Sequence, residues 1–307
     1  SGVGFFSHHQ EISIKENEEV SLDITLEPKT EELGQVVVTG SMRETFVKES
    51  PVKVQVLSNE HLQKTGAANL MESVNFLNGL YQEVSCGVCG TNSVRINGMD
   101  GPYTAILIDG MPIMGSLASV YGLNGINTSS IRNIEIIKGP NSTLYGSEAM
   151  GGVINVITKN PGTADPLKID GSFSTHEEAN FSLTGSQKLG KAQTLLGIDG
   201  FYFDTFLDHN DDDFADITKR KKLSIFNKWS FERSQARQFD IAFKLYLEDR
   251  LGGTSDYSHD LRGSDQVYGE SINTQRFEIL GTYDLPISSQ DIRTEFSYSY
   301  HNQNSYY

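Results

Sequence analysis

The chain has 307 residues, with 40 acidic and 25 basic side chains, a formal charge of −15, 29 Gly, 8 Pro and two Cys. That length is enough to bury a sizeable core, and 37% hydrophobic with 10% aromatic content is too rich for a disordered chain despite the charge. The acidity excludes a general phosphate-backbone binder, two Cys cannot staple a scaffold, and no run reaches the roughly 18 apolar residues of a membrane-spanning helix.

No leader segment is visible at Ser1. Residues 10–28 alternate in period two, with Ile12 and Ile14, then Val20, Leu22, Ile24 and Leu26 around Asn17-Glu18, as in a β-hairpin. Residues 29–34 are polar and linker-like. Gln35, Val36, Val37, Val38 and Thr39 form a short β-branched run between glycines, with high strand propensity and no hairpin partner in sequence. From 41 to about 160 the pattern mixes helix and strand. Val52, Val54 and Val56 alternate, Ser58 is an N-cap, and 61–78 carries helical spacing at Leu62, Leu70, Val74 and Leu77. Short strands follow at 93–97, 103–109, 131–138 and 153–158, separated by Gly-rich turns. An α+β unit is predicted.

After Pro161 the period changes. Phe239, Ile241, Phe243, Leu245 and Leu247 alternate with polar neighbours, and the runs at 223–231, 277–285 and 292–300 do the same. Segments of nine or ten residues with apolar-out, polar-in alternation and aromatics near their ends are the signal of a transmembrane β-strand. Such a barrel satisfies its backbone between strands and needs no apolar helix. Seven strands are predicted, over 167–175, 180–188, 193–204, 219–232, 237–249, 271–285 and 290–301. Short joins (189–191, 233–237, 286–290) alternate with long ones (208–217, 250–270), the asymmetry of an outer-membrane barrel with its long loops outside.

Residues 131–159, IRNIEIIKGPNSTLYGSEAMGGVINVITK, resemble the signature of the plug domain of TonB-dependent outer-membrane receptors. Asp109 and Gly110 in ILIDGMP, Gly139-Pro140, Tyr145-Gly146 and Gly151-Gly152 are the motif positions. Residues 72–80 resemble the helix-to-turn segment of the same domain. In VRING, Asn97 stands where the family commonly has Arg. Gln35–Thr39 resembles the TonB box, and residues 1–33 resemble the end of a carboxypeptidase-regulatory-like β domain. The implied order is that domain at 1–33, the box-like segment at 34–40, the plug at 41–160, and the first part of a transmembrane antiparallel β-barrel at 161–307. The implied fold class is an α+β plug inside that barrel. Locally, Gly before Pro permits a sharp turn at 139–140, while Tyr145-Gly146 and Gly151-Gly152 allow close backbone approach. By resemblance, Arg132 and Glu135 pair with charges on the barrel wall.

The resemblance implies an importer in the bacterial outer membrane, its N-terminus periplasmic, energised when TonB and its inner-membrane complex capture the box by strand addition. The cargo is a scarce metal-containing nutrient of the iron-siderophore, haem or cobalamin class, held at loops 84–92, 99–103 and 112–122. Candidate contacts are Cys86, Cys89, Met99, Asp100, Tyr103, Met114 and Tyr121. Cys86 and Cys89 read first as a periplasmic disulfide and second, with Met99, as soft copper ligands, so a soft-metal importer is the first alternative. A signalling or surface-complex receptor with a surface lipoprotein partner is the second. No cofactor is required. Asp208, Asp211, Asp212 and Asp213 are a candidate calcium loop, and Lys219-Arg220-Lys221-Lys222 a candidate contact for lipopolysaccharide phosphates. Nothing supports an enzyme, because no nucleophile is set beside a base, and no nucleic-acid partner is expected. A plugged barrel of about 22 strands, at about 21 residues each, needs on the order of 460 residues. The chain is therefore expected to be a piece of a longer protein.

Overall fold

Two kinds of residue pattern build two kinds of sheet. The computed structural model describes residues 36–42, 45–64, 70–86, 91–113, 123, 125–287 and 290–307. The first sheet is five-stranded. It contains β3 (Val54–Ser58), β6 (Thr104–Ile108), β7 (Met111–Pro112), β8 (Ile131–Lys138) and β9 (Gly152–Thr158), in the order β3-β8-β9-β6-β7. Only β6 and β9 run parallel. Strand β9 is buried along its whole length, as expected of an apolar run covered on both faces. One face meets α1 (Asn59–Lys64), α2 (Leu70–Ser73) and the 3₁₀ turn Val74–Phe76, with Leu62, Leu70, Met71 and Val74 against Ile134, Ile136, Ile154 and Val156. The predicted cap is present, since the His61 amide donates to Ser58 Oγ at 3.3 Å. The other face carries Ala105, Leu107, Ile137 and Val153 under Tyr145, Ala149 and Val37, with Tyr145 at the end of α3 (Ser142–Tyr145). A separate hairpin pairs β4 (Leu80–Cys86) with β5 (Thr91–Ile96). Strand β4 escaped the sequence pattern because its polar residues mask its alternation.

Two tight turns explain motif residues directly. Asp109 and Gly110 have φ of 51° and 86°, and Ile108 pairs with Met111 across them. This is the primed two-residue turn that Asp-Gly favours. Asn97 and Gly98 repeat it, with φ of 52° and 83° and Ile96 bridging Met99. Asn at position 97 therefore serves backbone conformation. Gly152 needs both its φ of +155° and its missing side chain, because a Cβ would stand 2.3 Å from the Ile137 carbonyl oxygen. Gly146 departs from the expectation of crowding: nothing lies within 4 Å of it, and its φ of +80° is what the end of α3 requires.

The second sheet has seven consecutive antiparallel strands: β10 (Leu167–Phe173), β11 (Ala179–Leu189), β12 (Ala192–Phe203), β13 (Lys219–Phe231), β14 (Phe239–Gly253), β15 (Gly269–Ile287) and β16 (Gln290–Tyr306). Alternation sorts their side chains. Lys244, Tyr246, Glu248 and Arg250 of β14 are buried on the lumen face, while Phe243, Leu245 and Leu247 between them are partly exposed on the other. On that outward face Trp229, Phe231, Phe239 and Tyr283 form a continuous aromatic row beside the short turns, with centroids 6.5, 4.6 and 5.5 Å apart. An aromatic girdle at a barrel's membrane interface has this form. Strands β14 and β15 run further outward than predicted, to the pair Gly253–Gly269. The preceding long loop joins them there through the bridge Phe214–Thr254 and the bond from the Ser255 hydroxyl to Asp213 at 2.6 Å.

Gly152→Ala forces the Ile137 carbonyl aside, and overpacking of this kind costs about 1–3 kcal/mol. The expected result is a plug that limited proteolysis cuts faster in the purified protein, with the barrel's resistance unchanged.

Candidate functional site

The box-like segment is docked through side chains. Its β1 (Val36–Val37) has a partner after all, the two-residue strand β2 (Thr45–Phe46). At Val38 and Thr39 the backbone turns to one buried carboxylate. Glu135 Oε2 accepts the Val38 amide at 2.9 Å, the Thr39 amide at 2.9 Å and the Thr39 hydroxyl at 2.6 Å. The Thr39 carbonyl accepts the Tyr145 hydroxyl at 2.9 Å, and Thr39 Oγ1 accepts Asn155 Nδ2 at 2.9 Å. Burial, with Glu135 and Glu295 nearby, pushes the Tyr145 phenol well above its ordinary value, so it stays a donor. Glu135 itself is fully buried, and these bonds supply what a buried carboxylate needs. The segment sits at the barrel end that bears the short turns. There Val38, Gly110 and Tyr145 share a small cavity with Gln238, Thr282, Arg293 and Glu295 of the wall.

One turn ties this segment to the wall. Asp109 accepts the Thr158 amide at 2.8 Å and the Thr158 hydroxyl at 2.7 Å, and its Oδ2 lies 2.8 Å from Lys228 Nζ of β13. The same lysine reaches Thr158 Oγ1 at 3.1 Å and Asp240 at 3.8 Å. Next to Asp109, the Gly110 amide donates to Asn155 Oδ1 at 3.0 Å, and the other end of that amide holds Thr39. Burial alone would raise the Asp109 carboxyl, but the Lys228 ammonium and the Thr158 donors outweigh it and hold it below its ordinary value of 3.8.

Among the described residues the plug–wall ion pair is made by Asp109. Glu135 spends its hydrogen bonds within the plug and on the box-like segment, and Arg132 is exposed, donating to Asn133 at 3.0 Å. Both lie on β8, where Arg132 falls at the irregular pairing between Ile131 and Asn133 and is exposed while Glu135 is buried, whereas Asp109 sits in a turn that reaches the wall. Sequence offered no signal for the Asp109–Lys228 pair, since 119 positions separate the two. The Asp-Gly motif marked only the turn.

Of the loop candidates, Gln35, Cys89, Met114 and Tyr121 lie outside the described residues, and of Cys86 only the backbone is described. Residues 99–103 fold over the plug's glycines. The Gly151 amide donates to the Tyr103 carbonyl at 2.8 Å, and Met99 Sδ lies 3.6 Å from where a Gly151 Cβ would stand. The Tyr103 ring is exposed, and Asp100 pairs with Arg95 at 3.1 Å.

Two carboxylates of the acidic loop are spent on its own backbone. Asp208 accepts the amides of Asp212 and Asp213, and Asp212 accepts that of Phe214. Among the described residues no three or more His, Cys, Asp or Glu side chains converge as metal ligands. The basic run 219–222 is split by strand alternation. Arg220 points into the lumen, 2.6 Å from Glu248, while Lys221 points out, 2.7 Å from Asp204.

Residues 47–153 match the family described as TonB-dependent Receptor Plug Domain. The chain is 32% identical over 164 residues to the vitamin B12 transporter BtuB of Vibrio vulnificus, a match covering 53% of this chain and 27% of that protein. It is 30% identical over 253 residues to the iron-regulated outer membrane virulence protein of Vibrio cholerae, covering 77% and 37%. Among solved structures, the siderophore receptor PiuA of Acinetobacter baumannii superposes with a TM-score of 0.60 at 16% identity, over 83% of this chain and 37% of that one. The chain thus spans well under half the length of these relatives.

Removing Lys228 leaves the Asp109 carboxylate buried and uncompensated, which costs about 3–5 kcal/mol. Lys228→Met is expected to lower the thermal midpoint of the detergent-purified protein, and adding Asp109→Asn to restore part of it. Because the folded Asp109 carboxyl titrates below 3.8, its pairing contributes fully above that value and is lost as pH falls through the lowered one. The native protein should therefore gain acid sensitivity below about pH 4, and the double variant should lack that component in an acid titration of near-ultraviolet circular dichroism.

Proposed function

The chain belongs to the TonB-dependent outer-membrane receptors, and we propose that the protein it comes from imports a metal chelate of the cobalamin or ferric-siderophore class, energised when TonB captures residues 35–39. The observation that carries this reading is the manner in which the segment is held. Strand addition needs main-chain N–H and C=O groups free to pair with a partner edge. Here the amides of Val38 and Thr39 and the carbonyl of Thr39 are taken by Glu135 and Tyr145, so docking and capture compete for the same groups. Each side-chain bond can be exchanged for a strand bond at little net cost, which suits a segment that must be given up to a periplasmic partner.

The cargo class rests on the relatives, which are named as a vitamin B12 transporter and a ferric enterobactin receptor. Copper, the soft-metal alternative, has no such support. In this reading Cys86, Cys89, Met114 and Tyr121 belong to loops that meet the chelate, and Tyr103 offers an exposed ring for stacking. Lys219 and Lys221 are the members of the basic run that face lipopolysaccharide.

Deleting residues 35–39 from the full protein should abolish proton-gradient-dependent uptake of cobalamin or ferric enterobactin while leaving protein in the outer membrane. Unchanged uptake would overturn the reading. Tyr145→Phe removes one bond to the docked segment, worth about 1 kcal/mol. It should therefore raise the affinity of cargo-free protein for the periplasmic part of TonB by about fivefold, measured by calorimetric titration.

A further inference from the structure

Strand alternation gives the outer rim of the wall two sides. Glu248, Arg250, Glu270 and Ile272 continue the lumen face of β14 and β15, so Asp249, Gly269 and Ser271 between them lie on the outward face. Lower on that face Phe277 and Ile279 are partly exposed, yet Ser271 is fully buried. Its cover is the connection 254–268, which folds down over the outside of the wall. The Tyr257 ring lies on Gly269, where a Cβ would overlap it, and is buried there. Arg262 donates to Ser271 Oγ at 2.6 Å and sits over the Tyr306 ring of β16, 5.4 Å from its centroid. His259 Nε2 lies 3.0 Å from Asp249 Oδ2.

The mouth side of the same connection is of another kind. Tyr268 falls in register with the lumen positions; its hydroxyl donates to Glu270 at 3.0 Å and its ring is exposed. Phe214 of the connection 204–218 meets it, with centroids 5.4 Å apart and planes tilted by 40°, and is exposed as well. Phe214 is held by its bridge to Thr254 and by Asp212, which accepts its amide at 2.9 Å, and the next amide, of Ala215, donates to the Gly253 carbonyl at 2.9 Å. The two long connections are thereby one unit, bonded to each other through backbone and clasped to the outside of the wall. Segments with few contacts open at little cost, and this unit is fastened on both sides of the rim. Exposed rings held in place offer a contact whose ordering cost does not fall on the cargo.

We infer that the connections 204–218 and 254–268 form one fixed lip of the mouth, clasped by Tyr257 and Arg262, which does not move when cargo binds. On its inner side Phe214 and Tyr268 are a preformed contact for a chelate that presents an unsaturated ring, since offset or tilted ring stacking adds to burial. Tyr257 and Arg262 are positioning residues: they face away from the lumen and act only through the lip. This inference rests on the importer reading above.

The test uses the full protein, purified in detergent and titrated with cyanocobalamin and with ferric enterobactin. For whichever chelate the native protein binds, Tyr268→Ala should weaken binding about tenfold and Tyr257→Ala about fivefold. The double variant should fall well short of the product of the two, because Tyr257 acts through the ring that Tyr268→Ala removes. Tyr257→Phe should bind as the native protein does, since the Tyr257 hydroxyl makes no hydrogen bond among the described residues. Trypsin cleavage after Arg262, beside the exposed Gly263, is followed by mass spectrometry. It should run at one rate with and without chelate in the native protein, and faster in Tyr257→Ala. Cleavage at Arg262 that changes with chelate, unchanged affinity in Tyr257→Ala or Tyr268→Ala, or full additivity of the two would each overturn the lip and leave the importer reading standing. Binding of neither chelate by the native protein would overturn the cargo class of that reading and this inference with it.

Discussion

The Asp109–Gly110 turn is the constraint on which the rest of the arrangement depends. A carboxylate in a crowded lumen must be paired, and Asp109 is paired in two directions, to Thr158 of the plug sheet and to Lys228 of the barrel wall. Its neighbour holds Asn155, which holds Thr39. The wall, the plug sheet and the docked segment are thereby joined through one two-residue turn. The turn exists because Asp and Gly accept positive φ at both central positions.

That linkage gives the docked segment its character. Val37 is packed in an apolar cluster with Tyr145 and Ala149, yet two residues later the chain is held by one carboxylate, one phenol and one amide. A segment fastened by a full strand ladder would resist removal, and one without contacts would offer no control. Docking by a few side chains lies between. It rests on Glu135 and Asn155, which the plug sheet positions, and on Tyr145 at the end of α3.

The lumen follows the same logic of paired charge. Glu278 accepts both Lys244 and Arg276, and Glu248 both Arg220 and Arg250. These ions, all buried but the partly exposed Arg220, are compensated within the wall, so the plug can pack against it without meeting bare charge.

Much of this was legible from residues alone. Period-two alternation is local, so the seven membrane strands and the alternation of short and long connections could be read directly, and the Gly and Asp-Gly positions named the plug. The basic run at 219–222 was misread because contiguous charges look like one patch until alternation sends Arg220 inward and Lys221 outward. The partners of Glu135 were not legible for a related reason: a charge in sequence has no address. Glu135 meets Thr39 across 96 positions and Lys228 meets Asp109 across 119. The sequence by itself determined the strands, the turns and the barrel class, because backbone geometry and side-chain alternation act between neighbours. Tertiary structure alone decided which buried charge answers which and what holds the docked segment, because many partners are chemically equivalent until the fold brings one within 3 Å.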